Sequence, residues 1–286
     1  MVLNKLKAYG ELVMFSHTLF SLPFAMISMI WAAEGLPGMK LFILILVALI
    51  SGRTGANALN RWVDKDIDKK NPRTSDRQLP QGRMKGKEVL GLTAICFIIF
   101  EVAAFLINPL CFYLSPLALF LFCIYSYTKR FTWASHIVLG IAIAGAPVGA
   151  WLAVRGEFDF IPIILGAIVA LWVAGFDMLY ATQDIEFDRS NKLYSIPAYF
   201  GLKNGLLIAK CFHVMMIILL YGLAIFRTLG IAYFIGVTIA AGLLIMEHFI
   251  VKPENRGTMK IASYGLNQVL SVVVFTFTIV DFLIVG

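Results

Sequence analysis

Apolar runs of 17 or more residues recur from one end of this chain to the other, and the polar residues gather in the gaps between them. Wound as a helix, a run of that length crosses a hydrocarbon core of about 30 Å. The pattern predicts nine spans, near 15–33, 40–59, 89–107, 110–127, 135–154, 160–181, 205–226, 229–250 and 264–285. The gaps alternate in character. Residues 60–88, 128–134, 182–204 and 251–263 are basic, whereas those near 34–39, 108–109, 155–159 and 227–228 are short and poorly charged. The expectation is an all-α polytopic membrane protein, one transmembrane domain over residues 1–286.

Composition agrees: 60% of the 286 residues are hydrophobic and only 14% charged, too little polar surface for a soluble domain of this length. The first run has no small-residue cleavage site at its end, so it reads as a retained helix. Cys96, Cys111, Cys123 and Cys211 stand singly within apolar runs. They lack the spacing of a zinc site or a redox dithiol and read as small hydrophobes.

Charge then orients the chain. The N-terminal tail and the four basic gaps hold 19 of the 24 Lys and Arg, and the opposite gaps hold three, Lys40, Arg155 and Arg227. An excess of cations marks the cytoplasmic side, which places the N-terminus and basic loops there and the C-terminus opposite. The net charge of +7 is thus a topology signal and calls for no nucleic-acid partner.

One gap carries more than topology. The stretch "ALNRWVDKDIDKKNPRTSDRQLPQGRMKGKE", residues 58–88, sets Asn60, Asp64 and Asp68 four residues apart. On a helix that spacing stacks them on one face, about 6 Å apart along the axis. Stacked carboxylates repel unless solvent or a cation separates them. A second column, Tyr180, Asp184 and Asp188, comes after the sixth span in "GFDMLYATQDIEFDRSNKLYS", with Asp177 a turn before Tyr180. Hard oxygen ligands of this kind suit Mg²⁺, which bridges carboxylates to phosphate oxygens. Arg73, Arg77, Lys129, Arg130, Arg189 and Lys192 supply cations beside the columns, as a phosphate site requires. Carboxylates, metal and cations at a membrane face imply a substrate with a diphosphate head and an apolar tail.

These motifs carry a resemblance. "NRWVDKDID" with its continuation "NPRTSDRQLPQG", "YATQDIEFD", and "YSYTKRFT" after the fourth span resemble the UbiA family of intramembrane prenyltransferases. The resemblance implies a helical bundle around a central cavity open to lipid, capped by the two cytoplasmic acidic loops. It implies Mg²⁺-dependent transfer of a polyprenyl group from an allylic diphosphate to an aromatic acid. "FSHTLFSLPFA", residues 15–25, is most similar to the 4-hydroxybenzoate branch, which serves quinone biosynthesis, and that branch shades into enzymes prenylating a dihydroxynaphthoate for menaquinone. A bacterial inner membrane is the implied location.

Carried onto this sequence, the metal ligands are Asn60, Asp64, Asp68, Asp184 and Asp188. Arg53, Arg73, Arg77, Tyr125, Lys129, Arg130, Tyr180 and Lys192 would bind substrate. The base that removes the ring proton is open among Asp177, Asp184 and Asp188. Many family members have Asp where this chain has Arg61, a position off the Asn60 face. A secondary transporter is the reading from another class; it would place its acids near the midplane of broken helices, whereas here they sit at helix ends. His17, His136, His213 and His248 show no ligand spacing and read as structural, as do Glu101 and the helix-bridging Asn267 and Gln268.

Overall fold

The computed structural model describes residues 10, 12, 15–252, 258–259 and 261–285. Among them the order is α1 (Phe15–Ala33), α2 (Met39–Val63), α3 (Lys65–Lys70), α4 (Gly86–Ile107), α5 (Pro109–Thr128), α6 (Ser135–Arg155) and α7 (Phe160–Ala181). Next come a 3₁₀ turn (Thr182–Asp184), α8 (Ile185–Ser190), α9 (Ile196–Phe200), α10 (Leu202–Gly222) and a second 3₁₀ turn (Leu223–Ile225). The chain ends with α11 (Ile231–Ile250), a π-helical turn (Ile261–Leu266) and α12 (Asn267–Val285). No strand occurs among the described residues.

Eight of the described helices are long and apolar enough to cross a membrane. In α1 the side chains are described from Ser21 onward, and Ser21–Ala33 is apolar. The His17 side chain, the tail before residue 10, and residues 253–257 and 260 of the 251–263 gap fall outside what is described. Phe249 and Ile98 are 81% and 62% exposed, which suits a protein whose solvent is lipid tails.

The chain forms two compact units. The first comprises residues 38–127 with those up to 19, and it holds α2 to α5. Small residues Gly52, Gly55, Ala56 and Ala58 lie on the buried face of α2, and the two glycines sit against Phe97, Phe100 and Phe122. At the end of that helix Ala58, Met84, Val89 and Leu12 form a buried cluster, flanked by Trp62, Leu79 and Leu92. This cluster folds the 71–85 turns back onto the end of α2.

The second unit comprises residues 20–37 and 128–286. Its central helix is α7, whose Leu165, Ile168, Val169, Trp172, Met178 and Leu179 are fully buried. Gly156, at φ +69°, closes α6 in the left-handed region and turns the chain sharply into α7. The two helices then pack so closely that a Cβ on Gly140 would collide with the carbonyl of Ala170. Across α7, α10, α11 and α12 runs a buried polar chain. Trp172 Nε1 donates to Asn267 Oδ1 (2.5 Å), Asn267 Nδ2 donates to Glu247 Oε1 (2.7 Å), and His213 Nδ1 lies 3.0 Å from His248 Nε2. Polar groups at membrane depth need partners within the protein, and such bonds hold helices in register. Asn267, His213 and His248 therefore have the structural roles expected of them. Glu247 joins them without having been foreseen.

Candidate active site

The first acidic cluster continues α2. Asp64 ends the helix with φ −91° and ψ 0°, yet the ladder persists: Asp64 N–H donates to Asn60 O (2.9 Å), and Asp68 N–H to Asp64 O (2.8 Å). The three side chains therefore share a face, and Asn60 Nδ2 donates to Asp64 Oδ2 at 3.2 Å. That bond leaves Asn60 Oδ1 as the ligand oxygen of its amide. Arg61 points elsewhere, its Nε donating to the Leu12 carbonyl at 3.4 Å.

Asp64 and Asp68 are 3% and 4% exposed. Buried carboxylates need partners. Arg77 supplies one, its Nη1 lying 2.7 Å from Asp68 Oδ1, and Thr74 Oγ1 donates to the Asp68 carbonyl (3.1 Å). Asp68 Oδ2 is buried with no hydrogen-bond partner among the described residues. Arg77, expected on substrate, is thus tied at least partly to the acid. Arg73 is half-buried in the same turn, its backbone N–H donating to Asn71 Oδ1 (2.9 Å). Arg53 is half-buried on α2 and Tyr125 half-buried near the end of α5.

The second cluster does not continue its helix in the same way. Thr182 Oγ1 donates to the Leu179 carbonyl (2.6 Å), and Gln183 Nε2 to that of Tyr180 (3.1 Å). Side chains that take carbonyls three residues back compete with the α ladder, and the chain tightens into 3₁₀. Three residues at 3.0 rather than 3.6 per turn rotate the side chains after them by roughly 60°. The even column expected from spacing is therefore broken between Tyr180 and Asp188. Asp188 accepts the Ser195 hydroxyl (2.9 Å) and lies within electrostatic range of Asp184, Lys129 and His136. The Lys129 carbonyl accepts the Tyr194 N–H (2.7 Å), which fixes the α5–α6 connection beside this cluster. Arg130 is half-buried next to it, and Lys192 is exposed, just past the end of α8 at φ +55°. Arg189 serves the backbone, donating to the Ala198 carbonyl (2.8 Å).

Asp177 has the partner that spacing did not reveal. His136 Nδ1 is 2.7 Å from Asp177 Oδ2. A signal was present: His136 and Asp177 lie nearly equidistant along the chain from the tight turn at Gly156, so an antiparallel hairpin sets them side by side.

No three His, Cys, Asp or Glu among the described residues converge closely enough to hold a metal by themselves. The donors present still fit a hard cation. The first cluster offers a buried, unpartnered carboxylate oxygen at Asp68, and Mg²⁺ typically completes its shell with water and phosphate oxygens.

The spans and the carboxylate clusters at the ends of two of them place the chain in the class of intramembrane enzymes. A model of the UbiA prenyltransferase family matches residues 21–272, and the chain belongs to that family. It is a transferase. A 4-hydroxybenzoate octaprenyltransferase of Vibrio parahaemolyticus is 30% identical over 260 residues, 88% of this chain and 90% of the relative. Its namesake from Marinobacter nauticus is 29% identical over 226 residues, 79% of this chain and 76% of the relative. An apo UbiA homolog from Aeropyrum pernix K1 superposes with a TM-score of 0.83 at 31% identity, over 93% of this chain and 98% of that one. A UbiA homolog from Archaeoglobus fulgidus, bound to GPP and Mg²⁺, has a TM-score of 0.72 at 18% identity over 96% and 99%, a likeness of fold alone. The transporter reading has no support left.

Proposed function

We propose that this protein transfers a polyprenyl group from an allylic diphosphate to the ring of an aromatic acid of the 4-hydroxybenzoate type, in quinone biosynthesis. The observation that carries the reading is the Asn60–Asp64–Asp68 stack with its unpartnered, buried Asp68 Oδ2, in a chain of a prenyltransferase family. The names of the relatives support the acceptor.

Asn60, Asp64, Asp68, Asp184 and Asp188 would hold Mg²⁺. When bound, the metal offsets the charge that grows on the diphosphate as the allylic C–O bond ionises. Lys129, Arg73 and Lys192 add mobile or forked cations for the same oxygens, with Arg130 and Tyr180 beside them. Arg77 holds Asp68 in place. Arg53 and Tyr125 are assigned to the acceptor end. The low-dielectric surroundings of Asp64 and Asp68 strengthen each of these charge interactions.

The test is direct. Purified protein, Mg²⁺, an allylic diphosphate and a panel containing 4-hydroxybenzoate and a dihydroxynaphthoate are incubated, and the product is weighed. A prenylated benzoate is expected; no prenylated aromatic at all would end this reading.

The cation asymmetry, 19 against three, supports a cytoplasmic placement of the N-terminus and of residues 60–88 and 182–204, in a bacterial inner membrane. Single cysteines in both loops should react with impermeant reagents only from the cytoplasmic face of sealed vesicles. Labelling from the other face would reverse the orientation.

A further inference from the structure

The reaction ends with loss of a ring proton, and the structure offers a group for it that spacing alone left undecided. We infer that Asp177 takes that proton and that His136 is the positioning residue that aims it. The inference rests on the aromatic-acceptor reading above.

The geometry is local to the α6–α7 hairpin. His136 stands in the first turn of α6 and Asp177 in the last turns of α7, and their bond is 2.7 Å. Because a carboxylate oxygen accepts, His136 Nδ1 carries the hydrogen of this bond. His136 is 5% exposed, and Nε2 is buried with no hydrogen-bond partner among the described residues. An apolar residue would fill this place without the cost of an unpaired buried ring nitrogen. The imidazole is thus retained for what its other nitrogen does. That nitrogen fixes Asp177 Oδ2, and the Asp177 side chain remains 29% exposed, so its second oxygen is open to a substrate.

The other candidate carboxylates suit the step less well. Asp188 already accepts the Ser195 hydroxyl, and both Asp184 and Asp188 belong to the proposed metal set. A carboxylate that shares its lone pairs with a cation is a weak base. Asp177 lies two turns before Asp184 along the chain and outside that set.

Atoms and electrons balance in this step. The ring carbon forms its bond to the allylic carbon, and the electron pair of the breaking C–O bond leaves with the diphosphate. The C–H electron pair then returns to the ring, and the proton goes to the open oxygen of Asp177 and on to water. His136 keeps Nδ1–H on Oδ2 throughout, holding the carboxylate in one rotamer.

The experiment compares ordinary 4-hydroxybenzoate with the same acid deuterated on the ring, using purified full-length protein, Mg²⁺ and an allylic diphosphate. Where ionisation limits the wild-type rate, the isotope effect is close to one. Asp177→Asn should lower kcat by about 10²-fold or more, as for a lost general base. His136→Ala should lower kcat by about 10-fold or more, in the range for losing an orienting partner, with KM for the diphosphate little changed. Both should show a primary isotope effect well above one. His136→Asn retains a donor near the Nδ1 position and should recover most of the rate, which guards against a variant that merely misfolds. The double variant should be no slower than Asp177→Asn. A slower His136→Ala with no isotope effect, or additive losses in the double variant, overturns the inference while leaving aromatic prenyl transfer intact. A wild type that makes no prenylated aromatic overturns both.

Discussion

The two acidic clusters have the same spacing on paper and different structures. Asn60, Asp64 and Asp68 keep an unbroken i+4 ladder into α3, bury both carboxylates, and are knit together by Arg77 and the Asn60 amide. Tyr180, Asp184 and Asp188 are interrupted by a 3₁₀ turn and lie only half-buried; Asp188 accepts a serine hydroxyl, and nearby Asp177 is held by His136. The cause is a pair of side chains. Thr182 and Gln183 take carbonyls from the end of α7, whereas Trp62 and Val63 stand at the equivalent places in the first cluster: Trp62 packs against the Ala58, Met84 and Val89 cluster, and the valine side chain has no donor to offer. Equal spacing predicts equal faces only where nothing local competes with the helix ladder.

If both clusters serve one diphosphate and its metal, the sharpest break should come from removing one charge in each. Asp64→Asn and Asp184→Asn should each lower Mg²⁺-dependent turnover by about 10³-fold, the upper range for loss of one group that stabilises developing charge. Asparagine retains the volume, so the folded yield in detergent should be near that of wild type. Full turnover in either variant removes that cluster from the reaction and turns the comparison into one between a site and a solvated helix end.

The helices were largely legible because a 3.6-residue period is not even needed: length and apolarity alone mark a span. The run at 135–154 became Ser135–Arg155 and that at 160–181 became Phe160–Ala181. Ends were misjudged where chemistry is local. The second span runs to Val63 because Asn60 and Arg61 remain in its last turn, and residues 223–225 tighten to 3₁₀. The acids of the candidate site could be read from spacing. Their partners could not, because Arg77–Asp68, Ser195–Asp188 and His136–Asp177 depend on turns and hairpins that bring distant positions together. Glu247 was missed for the same reason: its partner Asn267 lies across a π-helical turn in another helix.

A smaller effect should separate the clusters by stability. Arg77→Ala leaves Asp68 with neither oxygen paired to a protein donor among the described residues. The pair is only partly buried on the Arg77 side, 24% exposed, so the loss should be about 2 kcal/mol rather than the larger cost of breaking a fully buried pair. A lower thermal midpoint in detergent is the readout. Asp68→Asn placed on Arg77→Ala should restore part of it, because the charge that lost its partner is gone. No restoration would mean that Arg77 holds the turn by packing and not through the acid.

The smallest effect belongs to the second cluster and tests whether it is the looser of the two. Ser195 does two things at once: its hydroxyl donates to Asp188 Oδ2 (2.9 Å) and accepts the Ala198 N–H (3.2 Å), capping α9. Ser195→Ala removes both, and loss of a helix cap alone costs about 1 kcal/mol. Asp188 is less buried than Asp68, so water can replace the hydroxyl there, and the carboxylate should add a smaller penalty than the one expected at Asp68. The midpoint should therefore fall less than for Arg77→Ala. Ser195→Thr, which keeps the hydroxyl, should return it to near wild type. A fall as large as that of Arg77→Ala would show that the second cluster is as tightly built as the first, and that the 3₁₀ turn changes its direction without loosening it.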